Sequence, residues 1–327
     1  MNEPAMFSQR DEVDFVIVGS GAAGGVLARE LAVAGFNIVV LEQGPYRRSA
    51  DFKHDEVGVF IQNELGGGAS DPQTFRHSDS ETASVQLNPP AALYARSVGG
   101  SSTHYSGNFW RLRPVDFKEH SLLGDIPGTG FADWPVTYEE MEPYYTRVDW
   151  EIGVSGAPGP FDPPRSRPYP MPPLPRKSSG VLFDKGAKKI GLTTQPAPKA
   201  ILSAPHNGRA ACIHCGFCLA FGCEVGAKSS TLVTMIPEAE ATGRCEIRAD
   251  STVARLVTNS GGRVSEVVYY DKTGQERSQK AKAVILAANG VETPRLLFMS
   301  ESAAHPDGLA NSSGLVGKYL MFNDHSV

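Results

Sequence analysis

The stretch DFVIVGSGAAGGVLARELAVAGFNIVVLE, Asp14–Glu42, decides how the chain is read. An apolar run of strand composition, Asp14 to Val18, gives way to closely spaced glycines and then to an amphipathic segment, Ala22 to Ala34. In a helix there, Val26, Leu27, Leu31 and Ala32 share one face while Arg29 and Glu30 reach solvent. Gly35 suits the helix stop, and Asn37 to Leu41 predicts a second strand ending at Glu42. Strand, turn, helix and strand within about 30 residues make a parallel βαβ unit. An α/β, Rossmann-like fold is therefore expected.

Gly19, Gly21 and Gly24 stand in GxGxxG spacing between that strand and helix. The first glycine permits a tight turn, the second lets the backbone approach a pyrophosphate, and the third lets helix pack on strand. Ala22 and Ala23 open the helix, whose first N–H groups and partial positive charge suit phosphate. Glu42, about 20 residues on, stands where a carboxylate binds the ribose hydroxyls of an adenosine. This half does not distinguish FAD from NAD.

Working outward, the 327 residues are 41% apolar, enough for a sizeable core. The net charge of -5 comes without a basic stripe, which argues against a nucleic-acid surface. No basic n-region precedes an apolar core at the N-terminus, so no signal peptide is expected there. No apolar run reaches the ~20 residues of a spanning helix. Residues 63–92 read as a surface excursion, and the proline-dense segment Gly156 to Arg176 as an extended surface boundary. A helix is expected over Ser229 to Ala241, strands and turns over Glu246 to Tyr270, and a strand over Ala283 to Ala287.

CIHCGFCLAFGCEVGAK places Cys212, Cys215, Cys218 and Cys223 within twelve residues, with Gly216, Gly222 and Gly226 allowing turns. Three thiols at two-residue intervals with a fourth after a wider gap point to metal, and their order favours an iron–sulfur cluster. The last gap is not the ferredoxin one, and no proline follows Cys223. Zinc is the competing occupant, although its sites usually pair two short cysteine motifs across a longer loop. Free, buried cysteines are the third reading. His214 reads as a neighbour of the site, and Cys245 as a core residue.

Three further segments, RSVGGSSTHYSGNFWRLRP (Arg96–Pro114), DWPVTYEEMEPYY (Asp133–Tyr145) and AVILAANGVETPRLL (Ala283–Leu297), follow the fingerprint in order. Together they resemble the glucose-methanol-choline (GMC) oxidoreductase family across essentially the whole chain. The resemblance implies an FAD-binding domain of glutathione-reductase type, with an inserted, partly irregular segment and the start of a substrate domain. It implies FAD at Gly19, Gly21, Ala22, Ala23, Gly24 and Glu42, with Gly99, Gly100, Ser101 and Ser102 near the flavin or pyrophosphate. Val253 would meet the adenine through its backbone, and Asn289 belongs to the last cofactor segment. His104, in SSTH, either packs beside the flavin or, as in some members, is joined to it covalently.

The cysteine segment is similar to that of bacterial glucose, fructose and gluconate dehydrogenases carrying FAD and a three-iron cluster. That implies a dehydrogenase acting on the CH–OH group of a sugar, sugar acid or other alcohol, electrons leaving singly to a haem or quinone. A cytochrome c acceptor and a small chaperone-like subunit are the implied partners. The location would be cytoplasmic, or periplasmic by export with such a subunit. The family's catalytic histidine, with a second His or Asn, is expected beyond Val327, so no catalytic residue is assigned. VGKYLMFNDHSV resembles the start of the substrate domain, with Asn323 where relatives often have histidine and His325 not taken as the base. The expected division is 1–115 and 201–300 for the FAD domain and cysteine loop, 116–200 for a cap or linker, and 301–327 for the substrate domain. The rival reading is a non-catalytic flavoprotein module with a structural four-cysteine zinc site.

Overall fold

The computed structural model describes residues 6–66, 74–75, 78, 80–81, 85–86 and 94–320. The chain divides into two compact units, one of Met1–His104, Ala220–Gly222 and Ser230–Val327, the other of Tyr105–Leu219 and Cys223–Ser229. Asn323, His325 and most of the 63–92 excursion lie outside the described residues.

The first unit begins with β1 (Glu12–Val18), α1 (Ala22–Val33) and β2 (Ile38–Leu41), as the opening stretch predicts. The short strands β3 (Thr74–Phe75) and β4 (Val85–Gln86) pair with each other. In the second unit lie α2 (Glu119–Leu123), α3 (Tyr138–Ile152) and α4 (Ser178–Lys189). The first unit resumes with α5 (Met235–Ala241), β5 (Cys245–Arg248), β6 (Thr252–Thr258), β7 (Val264–Tyr270), β8 (Glu276–Leu286) and α6 (Asn289–Met299).

Six strands form one sheet in the order β5-β2-β1-β8-β7-β6. Strands β5, β2, β1 and β8 run parallel, while β8, β7 and β6 are antiparallel. Period-two alternation sorts the central side chains between two layers. Val16, Val18, Val39 and Leu41 join Leu296 of α6 in one cluster, while Ile17, Ile38 and Val40 join Ala28 and Ala32 of α1 in the other. Strand β8 begins earlier than its apolar run suggests. Its first half pairs with β7, Tyr270 opposite Glu276, and its second half with β1, Val18 opposite Leu286.

Two other expectations for this unit need correction. The fully buried row of α1 is Gly24, Gly25, Ala28 and Ala32, with Leu27 and Leu31 only partly buried, because a helix seated this close to turn and sheet admits only small side chains. The expected helix from Ser229 starts at Met235. Ser229 donates its N–H to Ala200 O within the second unit (2.8 Å), and Thr231–Val233 forms a 3-10 turn, so this segment spends its backbone elsewhere.

The second unit is held by a buried polar network on α3. Asp149 Oδ2 accepts from Arg111 Nη2 (2.6 Å), Arg111 Nε (3.2 Å) and Arg165 Nη1 (2.7 Å). Glu142 Oε1 accepts from Arg111 Nη1 (2.9 Å), Thr146 Oγ1 (2.6 Å) and Ser166 N (3.0 Å). Arg165 and Ser166 belong to the proline-dense segment, which is irregular as expected but does not simply run over the surface. Tyr169 and Met171 are buried, and Gly156 N–H donates to Met171 O (3.1 Å). The apolar side chains between its prolines supply the reason.

Burial opposes ionisation of Glu142, yet the donors from Ser166, Thr146 and Arg111 hold its pKa down to about 2. A depressed carboxyl contributes stability above its unfolded pKa and loses it as pH falls through the folded value. Acid unfolding of the second unit should therefore set in below about pH 4.3, the ordinary glutamate value, and deepen toward pH 2. Glu142→Gln should flatten that part of a denaturation-versus-pH curve followed by circular dichroism; an unchanged curve would remove Glu142 from the account.

Candidate cofactor site and cysteine loop

The C-terminal ends of β1, β2 and β8 open on a cavity of about 640 Å³ in the first unit, lined by Val18, Leu41 and Leu286 among others. Ligands of open α/β sheets bind at such strand ends. Of the residues singled out by sequence, Gly19, Gly21, Ala22, Ala23, Glu42, Gly100, Ser101, Ser102, Val253 and Asn289 line it. Gly24, Gly99 and His104 do not, although the two glycines support its walls.

The glycines divide their work sharply. A Cβ on Gly19, whose φ is +92°, would lie 2.5 Å from Ala287 O, and one on Gly24 only 1.9 Å from Gly19 O. Both positions are closed by backbone. On Gly21, the N-cap of α1, an added Cβ would find Gly100 Cα at 3.9 Å as its nearest neighbour. Helix α1 has no side-chain cap and no acidic residue in its first turn. Its leading N–H groups have no partner inside the helix and carry the positive end of its dipole. A pyrophosphate fits this cradle in shape and charge.

Glu42 sits buried at the end of β2, its Oε2 accepting from Ser20 N (3.0 Å) and Ser20 Oγ (2.7 Å) and its Oε1 from Gly44 N (3.0 Å). Burial pushes its pKa up, against the pull of those donors. Three of a carboxylate's roughly four acceptor positions are thus occupied, leaving one for a ribose hydroxyl. Val253 pairs with Tyr269, and the β6–β7 register shifts immediately after it. Asn289, with φ +72°, spends its Oδ1 on the N–H groups of Val291 (2.8 Å) and Glu292 (2.9 Å) at the start of α6. Its first duty is to cap that helix.

The second glycine turn is tied to the first by residues that sequence reading passed over. Gly99 N–H donates to Ser20 Oγ (3.0 Å), and Ser20 in turn donates to Glu42. Thr231 Oγ1 donates to Ser20 O (3.0 Å), lies within 3.4 Å of Gly99 O, and its N–H donates to Ser102 Oγ (3.2 Å). Ser102 Oγ donates to Gly99 O (2.6 Å) and Thr103 Oγ1 to Gly100 O (2.8 Å), bracing the Gly100–Thr103 turn that His104 ends. The hydroxyls of Ser20, Ser102 and Thr231 thus join segments 79 to 211 residues apart. The only signal for Thr231 was the hydroxyl run Ser229–Thr231.

Thr231→Val keeps the shape of the side chain and removes its donor. We expect a loss of about 1–2 kcal/mol, the cost of leaving buried partners unsatisfied, in urea titrations of the flavin-free protein. Thr231→Ser should restore most of it, and equal stability of all three proteins would deny the latch.

All four clustered cysteines lie in the second unit, and every cysteine of the chain is free. Among the described residues, no group of three or more His, Cys, Asp and Glu side chains is arranged to hold a metal ion. The loop's own chemistry still suits thiolate ligands. His214 N–H points at Cys212 Sγ (3.3 Å) and Lys228 N–H at Cys223 Sγ (3.5 Å), the hydrogen bonds that stabilise charge on sulfur. The backbone is left-handed at His214, Gly216, Ala220 and Gly226. Gly222 contributes differently from its expected turn, since a Cβ there would strike Phe52 Cδ1 at 2.0 Å. Burial raises the Cys218 thiol, and the Lys228 cation opposes that shift. Cys245 is buried in β5, where burial pushes its pKa up to about 12, an inert core thiol. Among the described residues no helix is long and apolar enough to cross a membrane.

Residues 13–326 match the family model described as GMC oxidoreductase. The chain is 36% identical over 320 residues to 2-methyl-1,2-propanediol dehydrogenase of Mycolicibacterium austroafricanum, covering 97% of itself and 56% of that protein. It is 31% identical over 335 residues to the fructose dehydrogenase large subunit of Gluconobacter japonicus, covering 98% of itself and 60% of that subunit. It thus spans little more than half the length of these relatives. Among solved structures, formate oxidase of Aspergillus oryzae RIB40, reported for FAD modification, superposes with a TM-score of 0.55 at 17% identity, over 90% of this chain and 48% of that one. That likeness concerns the fold.

Proposed function

The chain belongs to the GMC oxidoreductase family, and from that premise we propose that it forms the FAD-binding part of a dehydrogenase acting on the CH–OH group of an alcohol or sugar. The observation that carries the reading is the cavity where α1's uncapped N-terminus, the buried Glu42 and the Gly99–Gly100 turn are joined through Ser20 and Thr231. FAD, when bound, supplies the two-electron acceptor that none of the twenty side chains provides.

The chain's own residues hold and orient it. Ala22 and Ala23 present their N–H groups to the pyrophosphate, with Gly21 keeping the approach open. Glu42 takes a ribose hydroxyl on its remaining acceptor position, and Val253 meets the adenine. Ser101 and Ser102, which line the cavity, would stand by the pyrophosphate or flavin. Cys212, Cys215, Cys218 and Cys223 would hold an iron–sulfur cluster, which supplies one-electron steps toward an external acceptor. Such an acceptor would be a separate electron-transfer protein or quinone, consistent with a relative named as the large subunit of its enzyme.

The test is anaerobic purification followed by an absorption spectrum and quantification of FAD, iron and zinc on one sample. One FAD and several irons per chain, with broad absorption bleached by dithionite, is the expected result. FAD with one zinc and no iron would leave the cysteines structural, and absence of FAD would overturn the reading of the cavity.

A further inference from the structure

Ser20 stands between Gly19 and Gly21, at a position that GxGxxG spacing leaves open, and it is completely buried. Its backbone N–H (3.0 Å) and its hydroxyl (2.7 Å) both donate to Glu42 Oε2. The same hydroxyl accepts from Gly99 N–H (3.0 Å), and the Ser20 carbonyl accepts from Thr231 Oγ1 (3.0 Å). A backbone N–H can only donate, so the hydroxyl oxygen is the acceptor toward Gly99 and its single proton is committed to Glu42. The direction of the chain is thereby fixed, from Gly99 N–H through the Ser20 hydroxyl to the carboxylate.

Hydrogen bonds in series polarise one another, and an environment away from water strengthens them. Glu42 is 5% exposed. Burial pushes its pKa up, and the Ser20 hydroxyl leads the groups that pull it back, ahead of the N–H groups of Gly44 and Ser20 and the charge of Arg96. At the other end of the chain, Gly99 is the N-cap of the Gly100–Thr103 turn, whose Gly100, Ser101 and Ser102 line the cavity. The two glycine turns also approach closely, since a Cβ on Gly100 would lie 2.8 Å from Gly21 Cα. We infer that Ser20 is a positioning residue for the cofactor, its hydroxyl holding Glu42 toward the ribose and keying that carboxylate to the Gly99–Gly100 turn. The adenosine end of the cavity and its second glycine turn then receive an adenosine diphosphate moiety as one preset frame. This deepens, and rests on, the FAD reading above. Alanine at this position keeps the backbone N–H bond to Glu42 and removes the hydroxyl relay.

Wild type, Ser20→Ala, Glu42→Gln and the double variant are to be prepared as full chains stripped of flavin. Dissociation constants for FAD and for ADP are measured by calorimetry, with urea midpoints on the same proteins. Ser20→Ala is expected to weaken FAD and ADP alike, by roughly tenfold or more, the worth of a charge-assisted hydrogen bond. In the Glu42→Gln background the same change is expected to cost less than about threefold, because the hydroxyl acts through the carboxylate. A residue that merely packed the turn would lower affinity by one factor in both backgrounds, and that outcome would overturn the inference. FAD weakened with ADP unaffected would overturn it too, by confining Ser20 to the second turn. Wild-type affinities in Ser20→Ala would strike the inference and leave the cavity reading standing, whereas a wild type that binds neither FAD nor ADP would overturn both. Should the alanine variants fail to fold, Ser20→Cys decides. Its thiol is a weaker donor in the same place, so intermediate affinity is expected and wild-type affinity contradicts the proposal.

Discussion

Gly21→Val should yield a folded protein that no longer retains flavin. Gly21 has φ -62° and ψ -161°, an extended conformation, and an added Cβ would meet only Gly100 Cα, at 3.9 Å, an ordinary contact that forces no shift. The valine therefore costs the fold little, but its methyl groups occupy the approach to the first N–H groups of α1. If two charge-assisted hydrogen bonds to phosphate are lost, at ~1.5 kcal/mol each, affinity falls roughly 100-fold. The measurement is flavin released on gel filtration, together with far-ultraviolet circular dichroism. Gly24→Val is the informative contrast, because its Cβ would lie 1.9 Å from a backbone oxygen and the helix must move. That variant should lose structure as well as flavin. Wild-type FAD content in Gly21→Val would disprove the assignment of this turn to the pyrophosphate.

Asp149→Ala should be the most destabilising single change in the second unit. The carboxylate is 2% exposed and meets Arg111, itself 2% exposed, and Arg165, 9% exposed. Deleting it leaves two guanidinium groups short of their buried counter-charge, a loss of about 3–5 kcal/mol. It also releases the proline-dense segment from α3, since Arg165 is one of its anchors there. Urea denaturation followed by the fluorescence of neighbouring Trp150 reads the effect. Lys282→Ala serves as the control, because its pair with Asp14 is largely solvated on the lysine side, 63% exposed, and such pairs contribute about 0–1 kcal/mol. If the two variants unfolded at the same denaturant concentration, the buried network would not be what holds this unit.

The βαβ unit was legible because everything that specifies it is local. Apolar runs at Asp14–Val18 and Asn37–Leu41, glycines at the turn and a Gly stop after the helix all act over a few residues. The helix face was read less well. Val26 and the leucines of α1 looked like its core stripe, whereas the innermost positions belong to Gly24, Gly25, Ala28 and Ala32. How closely a helix approaches its sheet depends on the turn beneath it, which periodicity does not contain. The helix expected from Ser229 failed for a related reason, since Ser229 pairs with Ala200 and Thr231 reaches back to Ser20.

By itself the sequence determined the α/β class, the glycine turn with its acidic partner, the order of four segments shared with one family, and the crowding of four cysteines into one loop. These are short-range patterns, set by backbone freedom at glycine, by side-chain alternation and by residue type. Only the tertiary structure decided that Ser20 and Thr231 bind the two glycine turns together, that Asn289 spends its carbonyl capping α6, and that Lys228 lies buried against Cys218 and Cys223. Each depends on partners far apart in the chain, and a hydroxyl or an ammonium acquires its role from the groups that folding places within hydrogen-bond reach and from the water it excludes.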